Sequence, residues 1–275
     1  MIPARYASTR FPGKPLANKT GKYLIQHVYE RVAACRSMDR VIVATDDDRI
    51  FQAVQSFGGE VRMTRADHAT GTDRIAEVAA ALRLADHDLV LNVQGDEPEI
   101  EVQALERLVA CVTTGAGPGV IGTLAAPFAD DGPCEGPGSP LDPNCVKVVV
   151  DTGGRALYFS RSLVPYPRDT GGVVDRPSRW LLHMGVYAFR WDALRAVGGG
   201  TSRKGALERA ESLEQLRWLA DGMTIRVVVV DRAFAGIDTP EDYVAFVTRM
   251  AVGGSQGAAG FSLRGGPREL KLAAR

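Results

Sequence analysis

The sequence lacks long apolar runs, an excess of charge of one sign, and closely spaced cysteine pairs. No apolar run approaches the roughly 20 residues of a membrane-spanning helix, and the N-terminus has no secretory-type apolar segment, so we expect a cytoplasmic protein. Lysine plus arginine and aspartate plus glutamate number 33 each, so the overall charge predicts neither a nucleic-acid nor a membrane partner. The four cysteines include no Cys-x-x-Cys pair, which argues against a zinc site and favours reduced thiols.

The chain is long and apolar enough to bury one large core. Its 275 residues are 45% hydrophobic, which predicts a single domain over residues 1–250. In the first half, short apolar strands alternate with amphipathic helical patterns, which is typical of an α/β fold with a mostly parallel sheet flanked by helices. The segment Ala251–Ala259 is rich in Gly, Ala and Ser, so residues 251–275 are expected to form a flexible tail.

Apolar spacing and turn residues predict the individual elements. The predicted helices are Tyr23–Ala34, Arg49–Phe57 and Glu208–Ala220. The predicted strands are Arg40–Thr45, Asp88–Val93, Val146–Val150, Ala156–Phe159, Met184–Phe189 and Thr224–Val230, with the third and fourth forming a hairpin. The hairpin and the strand Met184–Phe189 predict a mixed sheet, with an excursion over the core at residues 151–204. We also expect a surface loop over Ala129–Pro143.

A cationic loop lies near the start of the chain, at Ile2–Leu16. It carries Arg5, Arg10 and Lys14 among small and turn residues, and no acidic residue precedes Glu30. Such a loop can place backbone N–H groups and fixed charges around a polyphosphate. The alternative is a solvated basic loop. Only Met1 and Ile2 precede Pro3 where a buried strand is expected, so we also expect the natural start to lie upstream.

A second candidate segment, NVQGDEP, occupies Asn92–Pro98 and follows the apolar run that starts at Asp88. A buried strand that ends in a Gly-Asp turn would deliver the Asp96 carboxylate to its C-terminal end, where ligands bind in open α/β sheets. Asp96 would suit Mg²⁺, which prefers carboxylate and phosphate oxygens. Alternatively, Asp96 and Glu97 cap a helix that begins near Glu99.

Eight motifs occur in order between Ile2 and about Met250. They are IPARYASTRFPGKPL (Ile2–Leu16), VIVATDD (Val41–Asp47), MTRADHATGTDR (Met63–Arg74), NVQGDEP (Asn92–Pro98), ALYFSR (Ala156–Arg161), HMGVYAF (His183–Phe189), ESLEQLR (Glu211–Arg217) and GIDTPED (Gly236–Asp242). Together they resemble the 3-deoxy-manno-octulosonate (Kdo) cytidylyltransferases, or CMP-Kdo synthetases. The resemblance implies a Rossmann-like, GT-A-like nucleotidyltransferase fold, a homodimer, and a sugar-binding and dimerisation role for the 151–204 excursion.

The resemblance also implies a reaction. The anomeric hydroxyl of Kdo would attack the α-phosphorus of CTP and release pyrophosphate, for lipopolysaccharide biosynthesis. Such a transfer needs charge neutralisation and in-line positioning. The residues implied as catalytic are Lys14, Arg5, Asp96 and Asp238, with Arg5, Arg10 and Lys14 on the phosphates and Asp96 and Asp238 as Mg²⁺ ligands. Two metal ions would fit, one on the triphosphate and one lowering the pKa of the attacking hydroxyl. Arg10 could instead clamp its own loop, and Asp238 could start a helix.

The cytosine is expected to meet the loop Ala66–Arg74 and the backbone of Pro3–Ala7. Within the loop the resemblance points to Gly71, Thr72 and Arg74, and Gly71 would allow close backbone approach. The alternative is that Thr72 caps a helix over Asp73–Leu84 and that Arg74 lies on the exposed first turn of that helix.

Kdo is an acidic polyhydroxylated sugar, so its site should combine a cation with hydrogen-bonding groups. The resemblance points to Gln94, Arg161, His183, Tyr187, Glu214 and Gln215, with Arg161 on the sugar carboxylate. The chain has Gly205-Ala206 where relatives commonly have a small residue and proline, which leaves 8-amino-Kdo or another acidic sugar as alternatives. The last alternative function is that of a nucleotide-binding protein without catalysis, although the presence of Lys14, Asp96 and Asp238 argues against it.

Overall fold

The computed structural model describes residues 1–115, 120–198 and 204–257. It is a mixed α/β structure, as predicted. The strands are β1 (Ile2–Ala4), β2 (Ile42–Thr45), β3 (Glu60–Met63), β4 (Leu89–Asn92), β5 (Val120–Pro127), β6 (Lys147–Val150), β7 (Ala156–Ser160), β8 (Leu181–Arg190) and β9 (Thr224–Val229). The α-helices are α1 (Leu24–Ala33), α2 (Asp48–Ser56), α3 (Gly71–Ala80), α4 (Val102–Thr113), α5 (Trp191–Val197), α6 (Ala206–Glu211), α7 (Gln215–Ala220) and α8 (Pro240–Gly257).

The first three strands form a parallel sheet in the order β1-β2-β3. The main chain of Met1 connects this sheet to β4, because its N–H group donates to Leu91 O (2.6 Å) and its carbonyl accepts from Val93 N (3.1 Å). The C-terminal ends of β1 and β4 therefore lie side by side. Because ligands bind at this edge of an α/β sheet, the pairing places the two candidate loops together.

Strand β8 lies at the centre of the second sheet. One of its sides pairs antiparallel with β5, and β5 continues in parallel to β9. Its other side pairs with β4 along the C-terminal half and with β6 near the N-terminal end. The hairpin β6–β7 is confirmed, and its turn reaches back to β9, where Val227 N donates to Gly154 O (2.8 Å).

The register of β8 against β5 is interrupted by a bulge. Thr123 lies opposite Tyr187, and the next residue, Leu124, lies opposite Met184, so Gly185 and Val186 are extra residues on β8. This interruption, called the β8 bulge below, lies between the stretches that pair with β4 and with β6. Bulges bend a strand and change the direction of its side chains, often next to active sites.

Apolar faces of the helices close the core on both sides of the sheets. Helix α1 buries Leu24, Ile25, Val28 and Val32, which recur at helical spacing on one face. Helix α2 begins at a cap that the sequence supplies, because the Asp47 carboxylate accepts hydrogen bonds from the N–H groups of the first turn. None of the helices in the described ranges is long and apolar enough to cross a membrane.

Four expectations from the sequence need correction. The predicted helix Glu208–Ala220 is two helices, α6 and α7, because Ser212 adopts a left-handed conformation (φ 52°) between them. The predicted excursion at residues 151–204 includes β8, which is instead a central strand of the second sheet. Helix α3 begins at Gly71, two residues before the predicted start. Helix α8 continues through Gly257, into the predicted 251–275 tail, and residues 258–275 lie outside the described residues.

Candidate active site

A cavity of about 300 Å³ opens at the C-terminal ends of β1 and β4. Its walls come from the loop after β1, the loop before α3, the turn after β4 and the segment after β9. At one end it is lined by Arg5, Arg10, Lys14, Asp96 and Asp238. The structure thus brings together all the residues predicted to act on the phosphates and the metal.

Lys14 lies between the two candidate metal ligands. Its Nζ is 2.6 Å from Asp96 Oδ2 and 3.7 Å from Asp238 Oδ1, and it donates to Ile237 O (2.6 Å). The preceding turn fixes its position: Gly13 has a left-handed conformation (φ 70°), and a Cβ there would lie 3.0 Å from the Tyr6 ring. Only glycine fits that conformation and contact without strain. The ammonium is therefore held in place before any substrate binds.

Asp96 and Asp238 converge because their loops are hydrogen-bonded to each other, through Ile237 N and Asp96 O (2.9 Å). Neither carboxylate caps a helix. Helix α8 begins with a reciprocal cap in which the Asp242 carboxylate accepts from Thr239 N and the Thr239 hydroxyl accepts from Asp242 N. Glu101 occupies the N-cap position of α4. The capping alternative for Asp96 is therefore wrong. The segment that contains Asp238 does start a helix, as the alternative has it, but Thr239 and Asp242 make the cap.

The arginines of the first loop differ in their contacts. Arg10 donates to Asp238 Oδ1 (2.9 Å), so it contacts the segment after β9 and does not clamp its own loop. Arg5 is exposed at the cavity wall. Both guanidinium groups are accessible to a bound polyanion, while the ion pair with Arg10 neutralises part of the Asp238 charge.

Glu97 adds a third acidic group beside this pair, and the sequence reasoning gave it no role other than a cap. Burial, followed by the negative charges of Asp96 and Asp238, raises the pKa of Glu97 to about 8. A Cβ at Gly236 would lie 3.3 Å from Glu97 Oε1, so the carboxyl group packs closely against that segment. Burial is the main cause of this shift, and the neighbouring carboxylates Asp96 and Asp238 add to it, while Lys14 opposes it.

A divalent ion at this position would need ligands from a substrate. No group of three or more His, Cys, Asp or Glu side chains suitable for a metal occurs in the parts of the chain that the structure describes. Mg²⁺ is commonly held by one or two carboxylates together with substrate phosphates. Asp96 and Asp238, which already share one cationic partner in Lys14, fit that donor set.

The other end of the cavity is formed by the loop before α3. Thr70 is the N-cap of this helix, because its hydroxyl accepts from Asp73 N (3.1 Å). Gly71 lies close to Pro3, since a Cβ would be 3.1 Å from Pro3 Cγ. The close approach of the cytosine to Gly71 stays a prediction, and the cap predicted at Thr72 is wrong by two residues.

Arg74 lines the cavity and is buried, which contradicts the alternative of an exposed first turn. Its Nη1 donates to Thr64 Oγ1 (2.5 Å) and its Nη2 lies 3.1 Å from Asp46 Oδ2. Asp46 follows β2 in the VIVATDD motif, and this acidic residue at a strand end was the available signal for the pairing. His68 also lines the cavity and is paired with Glu77 of α3. The sequence reasoning gave neither Asp46 nor His68 a role.

Four of the residues that are predicted to bind the sugar lie around the β8 bulge. They are Gln94, His183, Tyr187 and Glu214. Gln94 lines the cavity and donates to Gly185 O (3.4 Å) in the bulge. The rings of His183 and Tyr187 lie on either side of the bulge with centroids 5.6 Å apart. Burial of the Tyr187 hydroxyl, with the charge of Glu214 as a second cause, raises the pKa of Tyr187. Of the predicted sugar residues in the described chain, only Gln94 also lines the 300 Å³ cavity.

Glu214 connects this group to the loop before α3. Its Oε1 accepts from the Thr70 hydroxyl (3.1 Å) and from Arg217 Nη2 (3.1 Å), and its Oε2 accepts from the Thr72 hydroxyl (2.8 Å). Burial raises the pKa of Glu214. Its neighbour Gln215 is buried at the start of α7. Thr72 does not line the cavity, but its hydroxyl binds the same carboxylate as the hydroxyl of Thr70, which does line it.

Arg161 is held by main-chain carbonyl groups. Its Nε donates to Glu211 O (2.7 Å) and its Nη1 to Pro143 O (2.8 Å), while its own carbonyl accepts from the buried Lys147 Nζ (2.6 Å). These bonds use two of the five N–H groups of a guanidinium and leave three, one on Nη1 and two on Nη2. One N–H from each nitrogen can form a pair that binds both oxygens of a carboxylate. Phe159, two residues earlier, packs on the His183 ring (4.8 Å).

Comparisons with known proteins identify the family of this chain. A sequence model of a family described as cytidylyltransferase matches residues 1–225. A 3-deoxy-manno-octulosonate cytidylyltransferase of Syntrophotalea carbinolica is 50% identical over 249 residues, which cover 89% of this chain and 94% of the relative. An 8-amino-3,8-dideoxy-manno-octulosonate cytidylyltransferase of Shewanella pealeana is 44% identical over 92% of this chain and 98% of its own. A solved CMP:2-keto-3-deoxy-manno-octonic acid synthetase in complex with CTP has a TM-score of 0.80 and 42% identity, covering 92% of this chain and 97% of its own.

Proposed function

This chain belongs to the cytidylyltransferase family, and from that premise we propose that it transfers CMP from CTP to Kdo, releasing CMP-Kdo and pyrophosphate. The observation that carries the proposal is the convergence of Lys14, Asp96 and Asp238 at one end of the cavity. A cation fixed between two carboxylates, beside exposed arginines, suits the transfer of a nucleotidyl group, which depends on charge and position. The product would serve lipopolysaccharide biosynthesis.

The cationic loop acts on the phosphates in this proposal. Lys14 is fixed near the transferring phosphorus, and Arg5 and Arg10 neutralise the remaining phosphate oxygens and the departing pyrophosphate. Because the ammonium is already oriented by Asp96 and by Ile237 O, little reorganisation is needed when charge develops. Arg10 would exchange its bond to Asp238 for a phosphate oxygen.

We propose that Asp96 and Asp238 hold Mg²⁺ together with the nucleotide. When bound, Mg²⁺ neutralises phosphate charge and lowers the pKa of the attacking hydroxyl. The two carboxylates belong to loops that are bonded to each other, so their separation is fixed by the backbone. Glu97 lies beside them, and its pKa, raised to about 8, keeps its carboxyl group mostly protonated at neutral pH.

The cytosine would lie against the loop before α3. Gly71 permits close approach of the base to the backbone, Thr72 supports the loop through Glu214, and Arg74 supplies a donor from a guanidinium that Asp46 and Thr64 hold in place. Because Asp46 and Thr64 limit the motion of the Arg74 guanidinium, this group favours a base whose size and hydrogen-bonding groups match its fixed position.

The sugar would occupy the region around the β8 bulge. The remaining N–H pair of Arg161 would bind the sugar carboxylate. Gln94, His183, Tyr187, Glu214 and Gln215 would bind its hydroxyl groups. The 8-amino sugar is a second candidate, because the 44%-identical relative from Shewanella pealeana is named for it. A homodimer working in the cytoplasm is part of the proposal.

Pyrophosphate release with CTP, Mg²⁺ and Kdo tests the proposed reaction. ATP and UTP replace CTP as nucleotide controls, and 8-amino-Kdo and N-acetylneuraminate replace Kdo. Release that requires CTP and Kdo supports the proposal. Faster release with 8-amino-Kdo transfers the assignment to that sugar, and no release with either sugar contradicts the function. Size-exclusion chromatography with light scattering tests the dimer.

A further inference from the structure

The β8 bulge is anchored by one hydroxyl group, that of Thr123. Thr123 is fully buried on β5, opposite Tyr187. Its Oγ1 lies 2.9 Å from Val186 O, 3.3 Å from Met184 O and 3.0 Å from His183 Nε2. One hydroxyl therefore contacts the residues immediately before and within the bulge, which separate the two aromatic rings of the candidate sugar site.

Counting hydrogens decides the direction of these bonds. Carbonyl oxygens only accept, and a hydroxyl group has one hydrogen to donate. That hydrogen must point to a main-chain carbonyl, and Val186 O is the nearer of the two. If it pointed to His183 instead, Oγ1 would face two carbonyl oxygens with no hydrogen between them. The bond to the ring is therefore donated by His183 Nε2–H to Thr123 Oγ1.

A histidine that donates through Nε2 while it is neutral carries its acceptor on Nδ1. Burial lowers the pKa of His183 to about 3, so the ring is neutral at physiological pH. Among the described residues, none forms a hydrogen bond with Nδ1, while Nε2 is bonded to Thr123. The main chain of His183 is fixed as well, because its N–H group donates to Val146 O (2.8 Å).

We propose that Thr123 is a positioning residue for the sugar half of the site: it holds the β8 bulge and fixes His183 in the Nε2–H tautomer, so that Nδ1 accepts a hydroxyl group of the substrate. The inference rests on the proposed function for the identity of that substrate. It concerns neither CTP nor the phosphates, because Thr123 contacts β8 and not the loops that carry Lys14, Asp96 and Asp238. Its effect should therefore fall on the sugar alone.

Three variants of the full chain test the role of the hydroxyl. T123V removes it at nearly constant volume, T123S keeps it and removes a methyl group, and T45V removes an equally buried hydroxyl from β2 in the other sheet. We expect T123V to raise the KM for Kdo about five- to tenfold, the cost of one buried hydrogen bond. The KM for CTP should stay within about twofold of the wild-type value. T123S should restore the KM for Kdo, and T45V should leave it unchanged.

A spectroscopic measurement tests the tautomer without substrate. In histidine-labelled protein, long-range proton–nitrogen correlations distinguish protonated from unprotonated ring nitrogens, and H183Q identifies the His183 signals. We expect a protonated Nε2 and a bare Nδ1 in the wild type and in T123S, and a mixture of tautomers in T123V.

The results separate this inference from the proposed function. A protonated Nδ1 in the wild type overturns the inference, and so does a T123V variant with an unchanged tautomer and an unchanged KM for Kdo. Equal rises in the KM for both substrates would point to a general packing defect and also count against it. Because the wild-type tautomer is measured without turnover, it decides the point even if T123V folds poorly or the chain makes no CMP-Kdo.

Discussion

Thr72 and Glu214, 142 residues apart in the sequence, are joined by a hydrogen bond of 2.8 Å. Thr72 belongs to the first turn of α3, which borders the candidate nucleotide site, and Glu214 directly precedes α7, beside the candidate sugar site. The same carboxylate binds Thr70, the cap of α3. One glutamate thus fixes the nucleotide loop and one wall of the sugar site.

We expect T72V to weaken binding of both substrates. The valine cannot donate to Glu214, so the loop and the carboxylate both lose a partner, at a cost of about 1 kcal/mol. Steady-state kinetics should show the KM for CTP and for Kdo each rising about fivefold. T72S retains the hydroxyl and should behave like the wild type. A rise in only one KM would mean that Glu214 does not couple the two sites.

Removing either candidate metal ligand should reduce turnover. D96N and D238N keep the shape of the side chain and remove the charge that would hold Mg²⁺. Because a bound metal supplies several kcal/mol of transition-state stabilisation, kcat should fall on the order of 100-fold or more. The Mg²⁺ concentration for half-maximal activity should rise as well.

The control for this charge removal is D151N. Asp151 lies in the β6–β7 turn and pairs with Arg155, so its substitution tests loss of a carboxylate away from the cavity. D151N should retain wild-type kcat and wild-type Mg²⁺ dependence. Equal losses in D151N and D96N would show that the effect comes from net charge and not from a metal site.

We expect Arg161 to recognise the sugar carboxylate through two parallel N–H groups and not through its positive charge alone. R161K keeps the positive charge but cannot present two parallel N–H groups or bond to both Glu211 O and Pro143 O. We expect the KM for Kdo to rise about tenfold or more while the KM for CTP is unchanged. R155K, an exposed arginine of the β6–β7 turn, is the matched control. An R161K variant with wild-type kinetics would remove Arg161 from the carboxylate site.

Burial of His183 predicts how stability depends on pH. Its pKa is lowered to about 3 in the folded protein from 6.5 in the unfolded chain. Between pH 3 and pH 6.5, the unfolded state therefore binds a proton on His183 that the folded state does not bind. The free energy of unfolding should therefore be highest above pH 6.5 and fall as the pH decreases towards 3. The loss between pH 6.5 and pH 4 should be on the order of 2 kcal/mol.

Denaturant unfolding of H183Q measures that contribution. Because glutamine does not titrate, H183Q should lose less stability than the wild type over the same pH range. H87Q, which replaces an exposed histidine, should retain the wild-type slope. If H183Q and the wild type have parallel pH profiles, the ring is not held neutral in the folded protein.

The sequence predicts the phosphate and metal end of the candidate site because the segments that carry those residues follow strands ending at one edge of the fold. Asp96 comes after β4 and Asp238 comes after β9, and strand ends on one edge of a sheet must meet. Lys14 is placed by a glycine whose left-handed turn is local. For these residues, local chemistry and sheet topology point to the same place, so the motifs are informative without coordinates.

Other features depend on contacts between distant segments. Burial of Arg74 requires Asp46 from the end of β2, and nothing in the helical pattern around Arg74 indicates that partner. The break at Ser212 is a single left-handed residue inside a sequence with continuous helical propensity. Thr123 is an ordinary β-branched residue of a buried strand, and only the register of β8 shows its contacts with the bulge. Propensity cannot reveal pairings that tertiary structure creates.

The return of the β6–β7 turn to β9 affects how this protein can meet other chains. Strands β7 and β9 are at the two ends of the six-stranded sheet, and the bond between Gly154 O and Val227 N brings those ends together. An open strand edge is a template for aggregation, because its unpaired N–H and C=O groups can accept a strand from another molecule. Here the β6–β7 turn occupies part of the β9 edge, so the N–H group of Val227 is not available for such pairing.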